Sequence, residues 1–432
     1  MTDGRGFRDR TRLDAARESL LDAVAPLDRT ESVPVTDADG RVLAAPVTPA
    51  RPVPHYDRAA MDGYAVVAES TFGASDRSPN VLHVSGPEDG DATDGDGSVE
   101  ATVDARTAVP VHTGSELPEG ADAVVMVERT ERFEDEVEIR GSVTAGENVS
   151  PVGEDVPGDA DLFADGHRLR PSDLGLLRSV GRATVEVYES PVVDVIPTGD
   201  ELVPADVTAG RAPEPGEVVE TNALTVSRYV DAWGGTANYR DVVPDDDARL
   251  RAAVERGVAE SDLVVTTGGS SVGDRDRIAD VVADAGVVVH HGLAIKPGHP
   301  AGFGVVDDTP ILMLPGYPVS CIVTAVSLLR PALKRAGHLP SVPQPTTTAT
   351  LDRKVASEPG VRQFVRVALQ DPDLDSGAES PDDAPVAAPV RASGASVLSS
   401  VTDADGWLTI PESVEGLDAG ATVAVEDWEY RP

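Results

Sequence analysis

Asp262-Leu-Val-Val-Thr-Thr-Gly-Gly-Ser-Ser-Val-Gly-Asp-Arg-Asp276 is the stretch that decides the fold. Leu263 to Thr266 reads as a buried strand, and a helical pattern begins at Ile278. The loop between them is built of Gly, Ser and Thr and ends in acids. Glycines admit an anion close to the backbone, and N–H groups ahead of a helix can hold phosphate. The competing reading is a flexible loop. Asp274 and Asp276 stand where a metal could bridge to a phosphate.

Outward from this stretch the same grammar repeats. Strands are predicted at Val192–Ile196, Asn238–Val243, Val287–Val289 and Ile311–Leu314. Helices are predicted at Ala223–Trp233, Asp247–Ala259, Ile278–Ala285 and Cys321–Ala336. Strands alternating with helices imply a doubly wound parallel sheet, with ligands at the carboxyl ends of its strands. The N-terminal third is mixed: a helix over Arg12–Val24, a proline-rich linker over Pro46–Pro54, short strands including Glu131–Arg140, and a helix over Pro171–Val180. After a second proline-rich linker, Pro340–Pro345, short apolar runs such as Phe364–Leu369 and Trp407–Ile410 predict a small β-barrel or sandwich. The fold class is therefore multidomain α/β, with mixed N-terminal domains and a C-terminal β-domain. Glu88–Glu100 and Asp371–Asp383 read as acidic insertions.

The 432 residues carry a formal net charge of −39. The lysines are Lys296, Lys334 and Lys354 alone. Such a surface suits molar salt, where the screening length falls to about 3 Å, and predicts a halophilic source. It disfavours nucleic-acid binding, which needs a basic footprint. No run approaches the roughly 18 apolar residues of a membrane span, and the charged N-terminus lacks a signal core, so a cytoplasmic protein is expected. Cys321 is the only cysteine, which excludes an intrachain disulfide.

Further motifs lie at predicted strand ends or turns. Thr198-Gly-Asp-Glu201 puts acids at a rim, or merely caps a helix. Leu314-Pro-Gly-Tyr-Pro-Val-Ser320 leads into a helix, with Ser320 as its alternative N-cap. Lys296-Pro-Gly-His-Pro300 offers a cation where cations are scarce. Ala60-Met-Asp-Gly-Tyr-Ala-Val66 reads as a turn containing Asp62. Asp245-Asp-Asp247 caps a helix by default. No P-loop, His-Glu-x-x-His or Gly-x-Ser-x-Gly is present.

Taken in order, these motifs, with His112-Thr-Gly114 and Asp405-Gly-Trp-Leu-Thr-Ile-Pro411, resemble the molybdopterin molybdotransferase family, which comprises MoeA proteins and the C-terminal domain of gephyrin. The resemblance implies an elongated homodimer of four-domain subunits. By it, residues 8–50 and 144–183 form domain I, 51–143 domain II, 184–337 domain III and 338–432 a C-terminal β-barrel. It implies Mg²⁺-dependent insertion of molybdenum, or tungsten, from molybdate into adenylated molybdopterin, with release of AMP. Asp62, Thr113, Glu201, Asp245, Asp276 and Lys296 match the family's functional polar residues. Glu201 and Asp276 would hold Mg²⁺. Thr198, Gly199, Gly268, Gly269, Ser270, Ser271, Gly273, Pro297, Gly298, His299, Pro315, Gly316 and Ser320 would line the cofactor site. Asp62 and Thr113 would reach across the dimer. His299 and Ala59 depart from the lysine and serine common among relatives. A pterin adenylyltransferase and a noncatalytic scaffold are the alternatives.

Overall fold

The computed structural model describes residues 10–85, 102–204, 210–268, 277–370, 384–390 and 394–430. The insertions at Glu88–Glu100 and Asp371–Asp383 fall outside the described residues. Two compact units divide the chain: Met1–Glu31, Gly40–Val42 and Tyr188–Pro432 form the first, and Ser32–Asp39 and Leu43–Val187 the second.

In the first unit, helix α1 (Leu13–Ala23) buries Leu13, Ala16 and Leu20, one helical stripe.

The second unit contains a six-stranded mixed sheet. Its strands are β1 (Gly63–Val66), β2 (Ser75–Val84), β3 (Thr107–Val111), β4 (Ala123–Met126), β5 (Thr130–Phe133) and β6 (Glu136–Gly141), in the order β4-β1-β3-β2-β6-β5. The single strand expected over Glu131–Arg140 is instead the β5–β6 hairpin. The chain reverses at Glu134, which adopts φ 51°. The turn is made by Glu134-Asp135, with no glycine or proline to announce it. The segment expected as a linker over Pro46–Pro54 is tied down: Val47 bridges Phe163 and Val53 bridges Val156. Helix α2 (Pro171–Ser179) is held at its start by Asp173, whose carboxylate accepts from the Arg170 N–H at 2.9 Å.

The α/β part of the first unit follows: β7 (Val192–Pro197), α3 (Asn222–Trp233), β8 (Thr236–Tyr239), α4 (Asp247–Glu260), β9 (Leu263–Thr267), α5 (Arg277–Ala285), β10 (Val287–His291), β11 (Ile295–Lys296), β12 (Gly302–Val306) and β13 (Thr309–Leu314). Its sheet runs β8-β7-β9-β13-β12-β10. Strands β8, β7, β9 and β13 are parallel, and β12 runs antiparallel between β13 and β10. The expectation of a parallel sheet therefore holds for the four adjacent strands from the edge strand β8 to β13 and misses β12, whose Gly302 and Gly304 break the apolar signal.

Alternation fixes the two faces. Leu263 and Val265 point to a core shared with Val226, Val230 and Trp233 of α3 and with Leu13 and Leu20 of α1. Val264 points to the other core, with Leu250 and Val254 of α4 and Ile278 and Val282 of α5. All five β9 residues are buried, as a strand covered on both faces requires. Asp194 of β7, also fully buried, is satisfied by Arg240 at 2.7 and 2.9 Å and by Asn238 at 2.8 Å. A buried charge is tolerable only when paired in this way.

The helix predicted over Cys321–Ala336 is three pieces: α6 (Pro318–Thr324), a π-helical segment Ala325–Leu329, and α7 (Arg330–Ala336). Tyr317, not Ser320, occupies the N-cap position of α6, and Ser320 is buried.

Strands β14 (Thr346–Leu351), β15 (Arg362–Gln370), β16 (Val386–Pro389), β17 (Gly406–Ile410) and β18 (Thr422–Glu426) close into a barrel in the order β15-β16-β14-β18-β17, with β17 returning to β15. Val367, Ala387, Leu408 and Val425 fill it. The two-residue β11 adds to β15 as a sixth strand, pairing Ile295 with Arg362 and Lys296 with Gln363.

Candidate functional site

From β7 the chain passes to β8 on one side and reaches β9 on the other. A crevice at the carboxyl ends of β7 and β9 is the expected ligand position. A cavity of about 1190 Å³ opens there, wholly within the first unit.

Three strand-end loops form its floor. Thr198 N–H donates to Thr267 O at 3.0 Å, and Gly268 N–H donates to Leu314 O at 3.1 Å, so the loops are stitched edge to edge. Gly268 adopts φ +104°, and a Cβ there would lie 2.2 Å from Thr198 O. Glycine is required at this position. Its amide is already engaged, as is that of Gly199, which donates to Val243 O at 3.1 Å. Both glycines therefore serve close approach, and neither N–H is free for an anion. The hydroxyls of Thr198 and Thr267 are buried and make no hydrogen bond among the described residues. Buried polar groups are ordinarily satisfied, so these two mark a polar floor awaiting partners.

Glu201 stands at the rim, exposed, its carboxylate folded over Gly199, where an added Cβ would sit 2.7 Å from Oε2. Asp200 accepts the Asp245 N–H at 3.0 Å. Asp245 thus supports the Thr198–Glu201 loop from behind and is not in the lining, while its neighbour Asp246 caps α4 through the Arg249 N–H at 3.0 Å.

Lys296, Pro297, Gly298, His299 and Pro300 form one wall, and Pro315, Gly316 and Ser320 contribute to another. Lys296 is exposed into the cavity from its pairing with β15, and among the described residues no carboxylate lies within ion-pair distance of it. Burial, then the Arg10 charge, lowers the His299 pKa from its ordinary 6.5, against a smaller opposing effect of Glu358. His299 is therefore mainly neutral at pH 7 and serves as a hydrogen-bonding group, leaving Lys296 as the cation of this turn.

Three lining residues escaped the sequence reading. Glu220 is 4% exposed, accepts the Ala223 N–H at 2.6 Å at the start of α3, and accepts from the Tyr239 hydroxyl. Asn222 donates to Gly316 O at 2.7 Å, fixing the Pro315–Gly316 loop. Arg366, from the barrel, brings a second cation and also donates to Ser400 Oγ. Glu220-Thr-Asn222 directly before a helix was a readable cap signal. Arg366 carried no local signal, because only the barrel closure brings it here.

Asp62 and Thr113 belong to the second unit. Gly63 must be glycine, since a Cβ there would lie 1.9 Å from Val125 O; Asp62 is thereby set at the mouth of β1. Its Oδ1 accepts from the Thr113 N–H at 2.7 Å and from the Thr113 hydroxyl at 2.9 Å. The backbone N–H, then the hydroxyl, holds the Asp62 carboxyl below the usual range. His112 Nδ1 lies 4.0 Å from the same oxygen, and both side chains are exposed. Gly269, Ser270, Ser271, Gly273 and Asp276 lie outside the described residues, and among the described residues no cluster of three metal-binding side chains occurs.

Residues 11–181 match the MoeA N-terminal region (domain I and II), 194–335 a probable molybdopterin binding domain, and 348–428 the MoeA C-terminal region (domain IV). The chain is 33% identical over 412 residues to a molybdopterin biosynthesis protein of Methanocaldococcus jannaschii, covering 94% of each chain. It is 34% identical over 405 residues to molybdopterin molybdenumtransferase 2 of Mycobacterium tuberculosis, covering 92% of this chain and 95% of that one. A MoeA crystal structure from Pyrococcus horikoshii covers 98% of this chain and 100% of its own, with 32% identity and a TM-score of 0.79. The chain belongs to the MoeA family.

Proposed function

We propose that this MoeA-family chain is a molybdopterin molybdotransferase acting in molybdenum cofactor biosynthesis. Adenylated molybdopterin and molybdate are its substrates, and AMP leaves as molybdenum enters the dithiolene. The observation that carries this reading is the cavity at the β7 and β9 ends, where Glu201, Lys296, Arg366 and the Thr198 and Thr267 hydroxyls meet. Its size suits a nucleotide-sized ligand.

Cleaving a phosphoanhydride asks chiefly for positioning and charge neutralisation. Lys296 and Arg366 would neutralise developing oxyanion charge. Glu220 and Asn222 would keep the Pro315–Gly316 loop in place. An exposed Glu201 carboxylate is a hard oxygen donor and fits Mg²⁺, with Asp276 as the second proposed ligand. When bound, the ion would shield phosphate charge. Asp245 would position the Glu201 loop through Asp200. Asp62 and Thr113 would complete the site of the partner subunit in a homodimer.

The assay is AMP release from adenylated molybdopterin in molar KCl with Mg²⁺. Release that depends on molybdate is expected. Folded protein giving no molybdate-dependent AMP overturns the reading. Tungstate in parallel tests metal choice, and a melting temperature that rises with KCl tests the halophilic reading. No described helix is long and apolar enough to cross a membrane, in keeping with the proposed cytoplasmic location.

A further inference from the structure

Tyr317 and Phe364 both line the strand-end cavity, and their rings are held in different ways. Phe364 is 9% exposed and packs edge-on against Trp407, with ring centroids 5.2 Å apart. Tyr317 is 63% exposed, and among the described residues neither a hydrogen bond nor a ring contact engages its side chain. Its backbone, by contrast, is fixed on both sides. Pro318 confines it to extended geometry, and it adopts φ −76° and ψ 127°. Its carbonyl accepts the Cys321 N–H at 2.9 Å, in the first turn of α6. Ahead of it the Gly316 carbonyl accepts from Asn222 at 2.7 Å, and beyond it the Val319 N–H donates to Ala395 O at 3.0 Å.

A tyrosine on so fixed a backbone offers a large flat face at small entropic cost, because few side-chain torsions remain to be ordered. Left in water, that ring area is unfavourable. The lining also combines the cations Lys296 and Arg366 with apolar Leu202, Val218 and Val219. An inorganic oxyanion would meet the cations and leave the ring and the apolar residues uncovered. A ligand that carries both an anionic group and a planar ring engages both kinds of lining. We infer that Tyr317 is the stacking platform of this cavity and takes the flat face of a fused nitrogen heterocycle borne by an anionic ligand. The inference rests on the reading of the cavity as the site for adenylated molybdopterin, whose heterocycles are adenine and pterin. Stacking requires a π face and no hydrogen-bond pattern, so the Tyr317 hydroxyl is dispensable to it.

The test is titration calorimetry on the full chain at constant salt, with AMP, neopterin monophosphate and ribose 5-phosphate. Ribose 5-phosphate keeps the sugar and phosphate of AMP and lacks the base. Tyr317→Ala is expected to weaken AMP, neopterin monophosphate or both by about tenfold or more, the worth of a base–aromatic stack, and to leave ribose 5-phosphate within about twofold. Whichever ligand weakens identifies the ring that lies on Tyr317. Tyr317→Phe is expected to bind within about twofold of the unsubstituted protein. AMP and neopterin monophosphate binding unchanged by Tyr317→Ala would overturn the inference and leave the proposed reaction standing. Equal weakening of all the ligands would do the same, by making the ring a support for its loop. A loss in Tyr317→Phe as large as in Tyr317→Ala would make the hydroxyl the contact and overturn stacking. An unsubstituted protein that binds neither AMP nor neopterin monophosphate would overturn the reading of the site, and the platform with it.

Discussion

The strand-end cavity and the Asp62–Thr113 turn hold their acids in opposite ways. Glu201 sits at the rim of an enclosed space whose floor is stitched from three strand ends. Asp62 projects from an exposed turn, 60% accessible, held by two hydrogen bonds from a single residue. The first acid is placed by the fold and the second by local bonding. The two sites should therefore respond differently to substitution.

Lys296→Ala should lower AMP release by about 10²–10³-fold, the loss typical of removing one charge-stabilising donor. Its melting temperature should stay near the unsubstituted value, because Lys296 is exposed. A melting temperature that falls with activity would make Lys296 part of the framework. Asp62→Ala should cost on the order of 10- to 100-fold, through lost positioning. Mixing Asp62→Ala with Lys296→Ala subunits should restore about a quarter of full activity if each site draws on both members of a twofold dimer. No recovery on subunit exchange would confine Asp62 to its own chain. Thr113→Ala, which removes the hydroxyl but keeps the backbone N–H bond to Asp62, should cost roughly fivefold, the worth of an ordinary hydrogen bond of about 1 kcal/mol.

The smallest effect on activity is expected at Asp173. Burial raises its pKa, but hydrogen bonds from the Arg170 side chain, His167 and the Arg170 backbone outweigh this and bring it to about 2. An acid depressed in the folded state stabilises above its unfolded pKa and loses that contribution as pH falls through the folded one. The gap from 3.8 to about 2 corresponds to about 2 kcal/mol at neutral pH. Asp173→Asn should remove it without slowing turnover, and the two proteins should converge in stability between pH 4 and pH 2. A constant stability difference across that window would show that the ion pair is not its origin.

Much of this comparison was legible in the sequence. Leu263–Thr267 announces a central strand because both faces are covered and every side chain is apolar or Thr. The glycine-bearing loops after Pro197, Thr267 and Leu314 marked the cavity, since close backbone approach leaves few other choices. What stayed hidden depends on distant segments. Strand β12 is masked by Gly302 and Gly304, whose missing side chains make room for the His290 and Val287 carbonyls of β10. Arg366 enters the site only through barrel closure. The amides of Gly199 and Gly268 looked available for an anion until their carbonyl partners were in view.

The pairing of Ile295 with Arg362 and of Lys296 with Gln363 also has a temporal meaning. During synthesis, the α/β strands through Leu314 leave the ribosome before the segment that anchors Lys296 has been made. The lysine gains its backbone partner only once residues 362 and 363 emerge, so assembly of the site waits for the barrel. Chains stalled before that point would carry the three strand-end loops without a fixed cation, and the C-terminal barrel cannot be treated as a detachable module.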